Sequence, residues 1–242
     1  MTYQTFIFEK ERVNIEVYAM KLPNKENIVI KELEKHVSNH KIKRSKKYKF
    51  DEDKLRTLLG DILVRYIIQQ KFDSKSSDIM YNFNPYGKPF LKNNKEFNFN
   101  ISHSGNWIVV ATTINELIGI DIEKIENIDI SISNKVYSKD EYNLLKKNSV
   151  MKNDLDLFYE LWTFKESFLK AKGVGLNMPM TSFEIKKHKT PKIYYVKIGE
   201  RYFYLKKIDF DPCYKLSVCS TKDNFPEKIK VYDFHYVYAK LI

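Results

Sequence analysis

A chain of 242 residues with 42 Lys and Arg against 31 Asp and Glu carries a formal charge of +11. Its 43% hydrophobic and 14% aromatic content suffices for a packed core and excludes a disordered chain. Cys213 and Cys219 show no CxxC pairing, so neither a disulfide framework nor a thiolate zinc site is indicated, and the pair reads as reduced thiols in a cytoplasmic protein.

Charges at Glu9, Lys10, Glu11, Arg12 and Glu16 interrupt any signal-peptide core, and no apolar run is long enough to span a membrane. The basic balance points to an anionic partner: nucleic acid, an anionic membrane, a polyphosphate or an acidic protein. Charge alone does not rank these.

Val13–Leu22 alternates Val13, Ile15 and Val17 with polar neighbours and reads as a strand. Lys41 to Lys49 is a basic stretch, either a nucleic-acid patch or a solvated helix face. Leu55, Leu58, Leu59, Ile62, Leu63, Tyr66 and Ile67 recur at helical spacing and predict a long amphipathic helix over Lys54–Gln70. Asn84-Pro85-Tyr86-Gly87 is a turn. Phe97–Ile101 and Trp107–Thr113 read as a strand pair around Ser104-Gly105-Asn106, and Ile118–Ile122 as a short strand. Asp154–Lys172 reads as a second long helix ended by Gly173. Ile193–Ile198, Tyr202–Ile208 and Tyr214–Ser220 read as strands. Each half therefore runs strand, polar stretch, long helix, then strands, with the halves meeting near Glu116–Ile118.

Three segments carry chemistry. In Ile118-Gly119-Ile120-Asp121-Ile122-Glu123 the isoleucines share one strand face, and Asp121 and Glu123 share the other. Paired carboxylates at this spacing are relieved by solvent or by a cation. In the second helix, Glu166 and Lys170 are i,i+4 neighbours and Lys165 is adjacent. Either this is a surface ion pair, or a third carboxylate and two lysines complete an Mg²⁺–polyphosphate site. Ser102 and His103 are adjacent on a strand and face opposite ways, so they form no nucleophile–base couple; a histidine among hydroxyls at a strand end suits a phosphate or a turn cap.

Four blocks in order resemble the Sfp-type 4′-phosphopantetheinyl transferases, which activate nonribosomal peptide and polyketide synthases. They are Tyr86-Gly87-Lys88-Pro89, Phe99-Asn100-Ile101-Ser102-His103-Ser104, Ile118-Gly119-Ile120-Asp121-Ile122-Glu123, and Trp162-Thr163-Phe164-Lys165-Glu166-Ser167-Phe168-Leu169-Lys170. Arg56-Thr57-Leu58-Leu59-Gly60-Asp61 looks like the family's first long helix, and the likeness runs from about Val13 to about Pro226.

The resemblance implies an α+β fold, a pseudo-symmetric tandem of two α/β units. Unit 1–116 would contact the 3′-phosphate and adenine of coenzyme A, and unit 117–242 the metal and pyrophosphate. Asp121, Glu123 and Glu166 match ligands of Mg²⁺, with Mn²⁺ as an alternative. Lys165 and Lys170 match pyrophosphate-binding lysines. Lys41, Arg44, Arg56 and His103, with Thr57 beside them, match the 3′-phosphate site; Arg44 stands where the family commonly has Lys, which keeps the charge and alters donor geometry. Tyr86, Gly87, Lys88 and Pro89 match the adenine-side loop and Ser102 a phosphate contact. Glu141 matches a further acidic residue near the metal. Glu166 is the implied base for the carrier serine and Lys170 the partner of the leaving group. The implied protein is a cytoplasmic monomer that acts on coenzyme A and acidic peptidyl or acyl carrier domains, without nucleic-acid or membrane partners. Two other readings fit the charge: a basic nucleic-acid-binding protein, which leaves the carboxylates unexplained, and an inactive CoA-binding scaffold.

Overall fold

The computed structural model describes residues 15–24, 28–149 and 154–242. The charges at Glu9 to Arg12 and the expected strand start at Val13 lie outside them. In chain order the first half holds β1 (Glu16–Lys21), α1 (Ile30–Glu34), α2 (Asn39–Ser45), α3 (Asp51–Phe72), β2 (Tyr81–Phe83), β3 (Pro89–Leu91), β4 (Phe97–Ser104) and β5 (Trp107–Ile114). The second half holds β6 (Ile118–Lys124), α4 (Ser133–Val136), α5 (Lys139–Ser149), α6 (Asp154–Lys172), β7 (Lys186–Lys187), β8 (Ile193–Ile198), β9 (Arg201–Lys207) and β10 (Tyr214–Ser220), followed by β11 (Lys230–Tyr232) and α7 (Phe234–Leu241).

Local chemistry sets the ends of the helices. Asp51, Glu52 and Asp53 fill the first turn of α3, where they oppose the positive end of the helix dipole. Gly173 stops α6 with φ +73°, a conformation that suits glycine.

The two halves follow one path. β1 pairs antiparallel with β5 and β5 with β4, while β6 pairs antiparallel with β10 and β10 with β9. A long helix separates the first strand from the rest each time, as the sequence repeat predicted. The first sheet runs β11-β1-β5-β4 and the second β6-β10-β9-β8-β7.

Hydrophobic burial stacks these units into four layers. Leu58, Leu59, Ile62 and Leu63 of α3 bury against Phe97, Phe99, Ile108 and Val110 on the outer face of the first sheet. Val17, Ala19, Val109 and Ala111 on its inner face meet Ile118, Ile120, Ile122, Leu216 and Val218 of the second. Phe164, Phe168 and Leu169 of α6 cover the far face with Val196, Phe203 and Leu205. The isoleucines of β6 are thus the central core, which forces the alternate residues of β6 towards α6.

The terminal segment departs from the sequence division at residue 116. β11 adds to the first sheet parallel to β1, and Phe234, Val237 and Leu241 of α7 join the α3 core. Among the described residues, no helix is long and apolar enough to cross a membrane.

Candidate active site

The site forms where β6, α6 and the end of β4 meet. Gly119 lies on the α6-facing side of β6, and a Cβ there would overlap the Ser167 carbonyl and the Ala171 backbone. The missing side chain lets the helix descend onto the strand. Lys170 then reaches across to Asp121.

Asp121 is only 2% exposed. Its Oδ1 accepts from Lys170 Nζ at 2.5 Å and from Ser102 Oγ at 2.9 Å. Its Oδ2 is buried and has no partner among the described residues. Glu123 accepts from Ser104 Oγ at 2.9 Å. Burial, then the charge of Asp121, pushes Glu123 up to about 7. Burial raises Asp121 as well, against the pull of Lys170. Glu166 is raised by burial and then by Asp121. Three carboxylates therefore share one electrostatic environment with one ammonium.

Among the described residues, no three His, Cys, Asp or Glu side chains stand ready-made as a metal centre; the Lys170 ammonium sits on Asp121. The donor set nevertheless fits a hard divalent ion, because it offers carboxylate oxygens, one of them buried and unpaired.

The opposite charge gathers at the far side of β4. His103 is held down to about 4, first by burial and then by Lys41, Lys170, Arg56 and Arg44. Those cations come from α2, α3 and α6, so the fold gathers the residues the sequence grouped. Arg56 donates to the Gly105 carbonyl at 2.7 Å and to Asp53 at 2.8 Å. Lys41 is half-buried, and that burial lowers its pKa. Thr57, beside Arg56, is buried with an unpartnered hydroxyl.

The remaining expected residues have other placements. Tyr86 is exposed, and Gly87 takes φ +84° in an open turn. Pro89 begins β3. Lys88 spans the halves, donating to the carbonyls of Ile118 at 2.8 Å and Ala171 at 3.1 Å, and burial holds its pKa down to about 8. Its ammonium is thereby committed to the joint rather than to a ligand.

Lys165, expected at a pyrophosphate, is 0% exposed. It donates to Glu141 Oε2, the Met180 carbonyl and the Phe183 carbonyl, each at 2.8 Å. Glu141, expected near a metal, accepts in addition from the backbone of Ser138 and Ile185. The pair is a closed internal unit, separate from the three carboxylates. Lys165 follows Leu161 by four residues and precedes Phe168 by three, which puts it on the buried stripe of α6. That spacing was the available signal. Ser104 and Asn100 carried none, because a polar row opposite Phe97, Phe99 and Ile101 reads as solvent-facing.

Fold and site define a tandem α+β protein with a cationic cluster beside a carboxylate cluster. Compared with known proteins, residues 23–115 match the family "4′-phosphopantetheinyl transferase, N-terminal" and residues 117–219 the "4′-phosphopantetheinyl transferase superfamily". The chain is 38% identical over 201 residues to 4′-phosphopantetheinyl transferase ffp of Bacillus subtilis, covering 82% of this chain and 88% of that one. It is 37% identical over 201 residues to 4′-phosphopantetheinyl transferase Sfp of Bacillus subtilis strain 168, with the same coverages of 82% and 88%. It is 35% identical over 207 residues to 4′-phosphopantetheinyl transferase gsp of Aneurinibacillus migulanus, covering 85% and 86%. The chain belongs to the Sfp-type 4′-phosphopantetheinyl transferase family.

Proposed function

We propose that this protein transfers the 4′-phosphopantetheine arm of coenzyme A to a serine of peptidyl or acyl carrier domains and releases 3′,5′-ADP. The observation that carries the reading is the pair of oppositely charged clusters, drawn from both halves onto β4, β6 and α6 and bridged by Lys170. Lys41, Arg44, Arg56 and His103 receive the 3′-phosphate, with Thr57 beside them. The turn at Tyr86 and Gly87 lies on the adenine side. Asp121, Glu123 and Glu166 would hold Mg²⁺ or Mn²⁺, which would neutralise charge on the pyrophosphate.

The serine oxygen forms a bond to the β-phosphorus of coenzyme A as the bond from that phosphorus to the bridging oxygen breaks. The serine proton passes to Glu166, whose pKa is raised by burial and then by the charge of Asp121. Lys170 faces the carboxylate cluster and neutralises the leaving 3′,5′-ADP oxygen. Lys165 and Glu141 act through the position of α6. Most of the acceleration comes from alignment and charge, as in other phosphoryl transfers. Because one chain supplies both charged clusters, the working unit is a monomer, and the net charge of +11 favours acidic carrier domains over neutral ones.

The test is incubation with coenzyme A, Mg²⁺ and a peptidyl carrier domain, followed by intact mass of the carrier. A gain of one phosphopantetheine is expected. A carrier of unchanged mass at millimolar coenzyme A and Mg²⁺ removes the reading.

A further inference from the structure

The joint between the two sheets is built from side chains. β4 and β6 are both edge strands, and their side-chain-to-backbone bonds advance together along both strands, so they run parallel. Asn100, Ser102 and Ser104 occupy alternate positions on one face of β4. Their side-chain oxygens accept in step from the backbone N–H groups of Ile120 at 2.9 Å, Ile122 at 3.4 Å and Lys124 at 3.0 Å. The Ile120 and Ile122 donors would otherwise be buried unpaired, at a cost comparable to a lost hydrogen bond, whereas the Lys124 donor is exposed.

This arrangement dictates where the hydroxyl protons go. A serine hydroxyl has one proton and two lone pairs. Ser102 Oγ accepts from Ile122 N–H and from Lys170 Nζ at 2.9 Å, so its proton goes to Asp121 Oδ1 at 2.9 Å. Ser104 Oγ accepts from Lys124 N–H, so its proton goes to Glu123 Oε2 at 2.9 Å. Each carboxylate is gripped by one oxygen through a hydroxyl fixed to the neighbouring peptide of β6. For Asp121 the second oxygen is left without a partner. Asn100 completes the same row and has no carboxylate hydrogen bond.

We propose that Ser102 and Ser104 are positioning residues that lock Asp121 and Glu123 for a divalent cation, through the same hydroxyls that accept from the edge of β6. The inference rests on the reading of Asp121 and Glu123 as cation ligands. It moves Ser102 from the expected phosphate contact to a carboxylate-orienting role. Partners behind metal ligands typically change metal affinity about 10- to 100-fold when removed.

The experiment measures Mn²⁺ affinity by electron paramagnetic resonance, coenzyme A affinity without divalent ions by calorimetry, and the melting temperature. It compares wild type with Ser104→Ala, Ser104→Thr and Asn100→Ala. Ser104→Ala should weaken Mn²⁺ binding about tenfold or more and leave cation-free coenzyme A affinity within about twofold. Ser104→Thr, which keeps the hydroxyl, should restore Mn²⁺ affinity. Asn100→Ala breaks the joint without touching a carboxylate, so it should lower the melting temperature at least as far as Ser104→Ala while losing less Mn²⁺ affinity.

Unchanged Mn²⁺ affinity in Ser104→Ala overturns the proposal. Equal losses of Mn²⁺ affinity in Ser104→Ala and Asn100→Ala overturn it too, since they make the row structural only. If Ser104→Ala does not fold, Ser102→Ala takes its place: Mn²⁺ affinity about tenfold or more below wild type and below Asn100→Ala sustains the proposal, and unchanged affinity, or a loss equal to that of Asn100→Ala, overturns it. Wild-type protein that binds neither Mn²⁺ nor coenzyme A defeats the underlying function instead, which keeps the two failures apart.

Discussion

Two lysine–carboxylate pairs sit little more than a turn apart on α6, and they differ in how completely they are satisfied. Lys165 is fully buried with three acceptors, and Glu141 receives three donors. Lys170 keeps 27% of its side chain exposed and holds Asp121, which retains one buried oxygen with no partner. Both pairs bury charge, so burial alone does not mark a site. A saturated pair has no capacity left for a ligand and is retained for packing and register. An unsaturated pair carries a desolvation cost that a bound ion or phosphate relieves.

Replacing each lysine by methionine separates the two roles most sharply. Lys170→Met should reduce turnover by roughly 10²- to 10³-fold, the scale for removing one charge-stabilising donor, and it also lowers stability, because the buried Asp121 loses its counter-charge. Lys165→Met leaves Glu141 buried without its counter-charge, which costs about 3–5 kcal/mol. In a chain of this size that lowers the melting temperature by roughly 10 °C. Melting curves and steady-state rates on the same preparations check both. A Lys165→Met protein as stable as wild type but as inactive as Lys170→Met would put Lys165 back at the pyrophosphate, where the family resemblance implies it.

The contrast also shows what the sequence could reveal. Strong periodicity made α3, α6, the β4–β5 hairpin, β6 and the strands β8 to β10 legible, and the repeat they form matches the topology. α5 was not legible, since Lys139 to Ser149 offers only Tyr142, Leu144 and Leu145 among polar residues. Neither was β11, whose partner β1 lies some two hundred residues away and leaves no local trace. The acidic face of β6 was legible as a pair, but its burial depends on how close α6 comes, and Gly119 settles that. Alternation along β4 misled, because the polar row at Asn100, Ser102 and Ser104 faces another sheet edge rather than water.

The cationic cluster gives the next test, now between the two halves. If Arg56 reads the 3′-phosphate, Arg56→Ala should weaken coenzyme A binding by the equivalent of about 1.5–3 kcal/mol, some ten- to a hundredfold. It should weaken dephospho-coenzyme A far less, because the partner of the lost charge is already absent. Calorimetry on both ligands with both proteins closes the cycle. Equal losses would show that Arg56, which also holds Asp53 and the Gly105 carbonyl, serves the fold instead.

The last test is the pH dependence, and it has opposite signs in the two clusters. Glu123 lies at about 7 in the folded protein against 4.5 for the free side chain. Between those values the folded state keeps a proton that the unfolded state has released, so Glu123 makes the cation-free protein less stable as pH rises through that window. His103 lies at about 4 against 6.5. Between those values the unfolded state binds a proton that the folded state excludes, so His103 makes the protein more stable as pH rises. The two contributions oppose each other from 4.5 to 6.5, which leaves Glu123 alone above and His103 alone below. A divalent ion changes only one side of this balance. It requires Glu123 ionised, and Asp121 and Glu166, also raised, act in the same direction. Mn²⁺ affinity should therefore climb with pH by up to about tenfold per unit for each proton displaced, and the contribution of Glu123 ends above about pH 7. Cation-free binding of coenzyme A should strengthen as pH falls, because the 3′-phosphate favours a charged His103. Calorimetry in buffers of different ionisation enthalpy reads proton release in the first case and uptake in the second. Mn²⁺ affinity that stays flat from about pH 5 to 8 would remove Glu123 from the cation site and leave the acidic face of β6 as a structural feature of the joint alone.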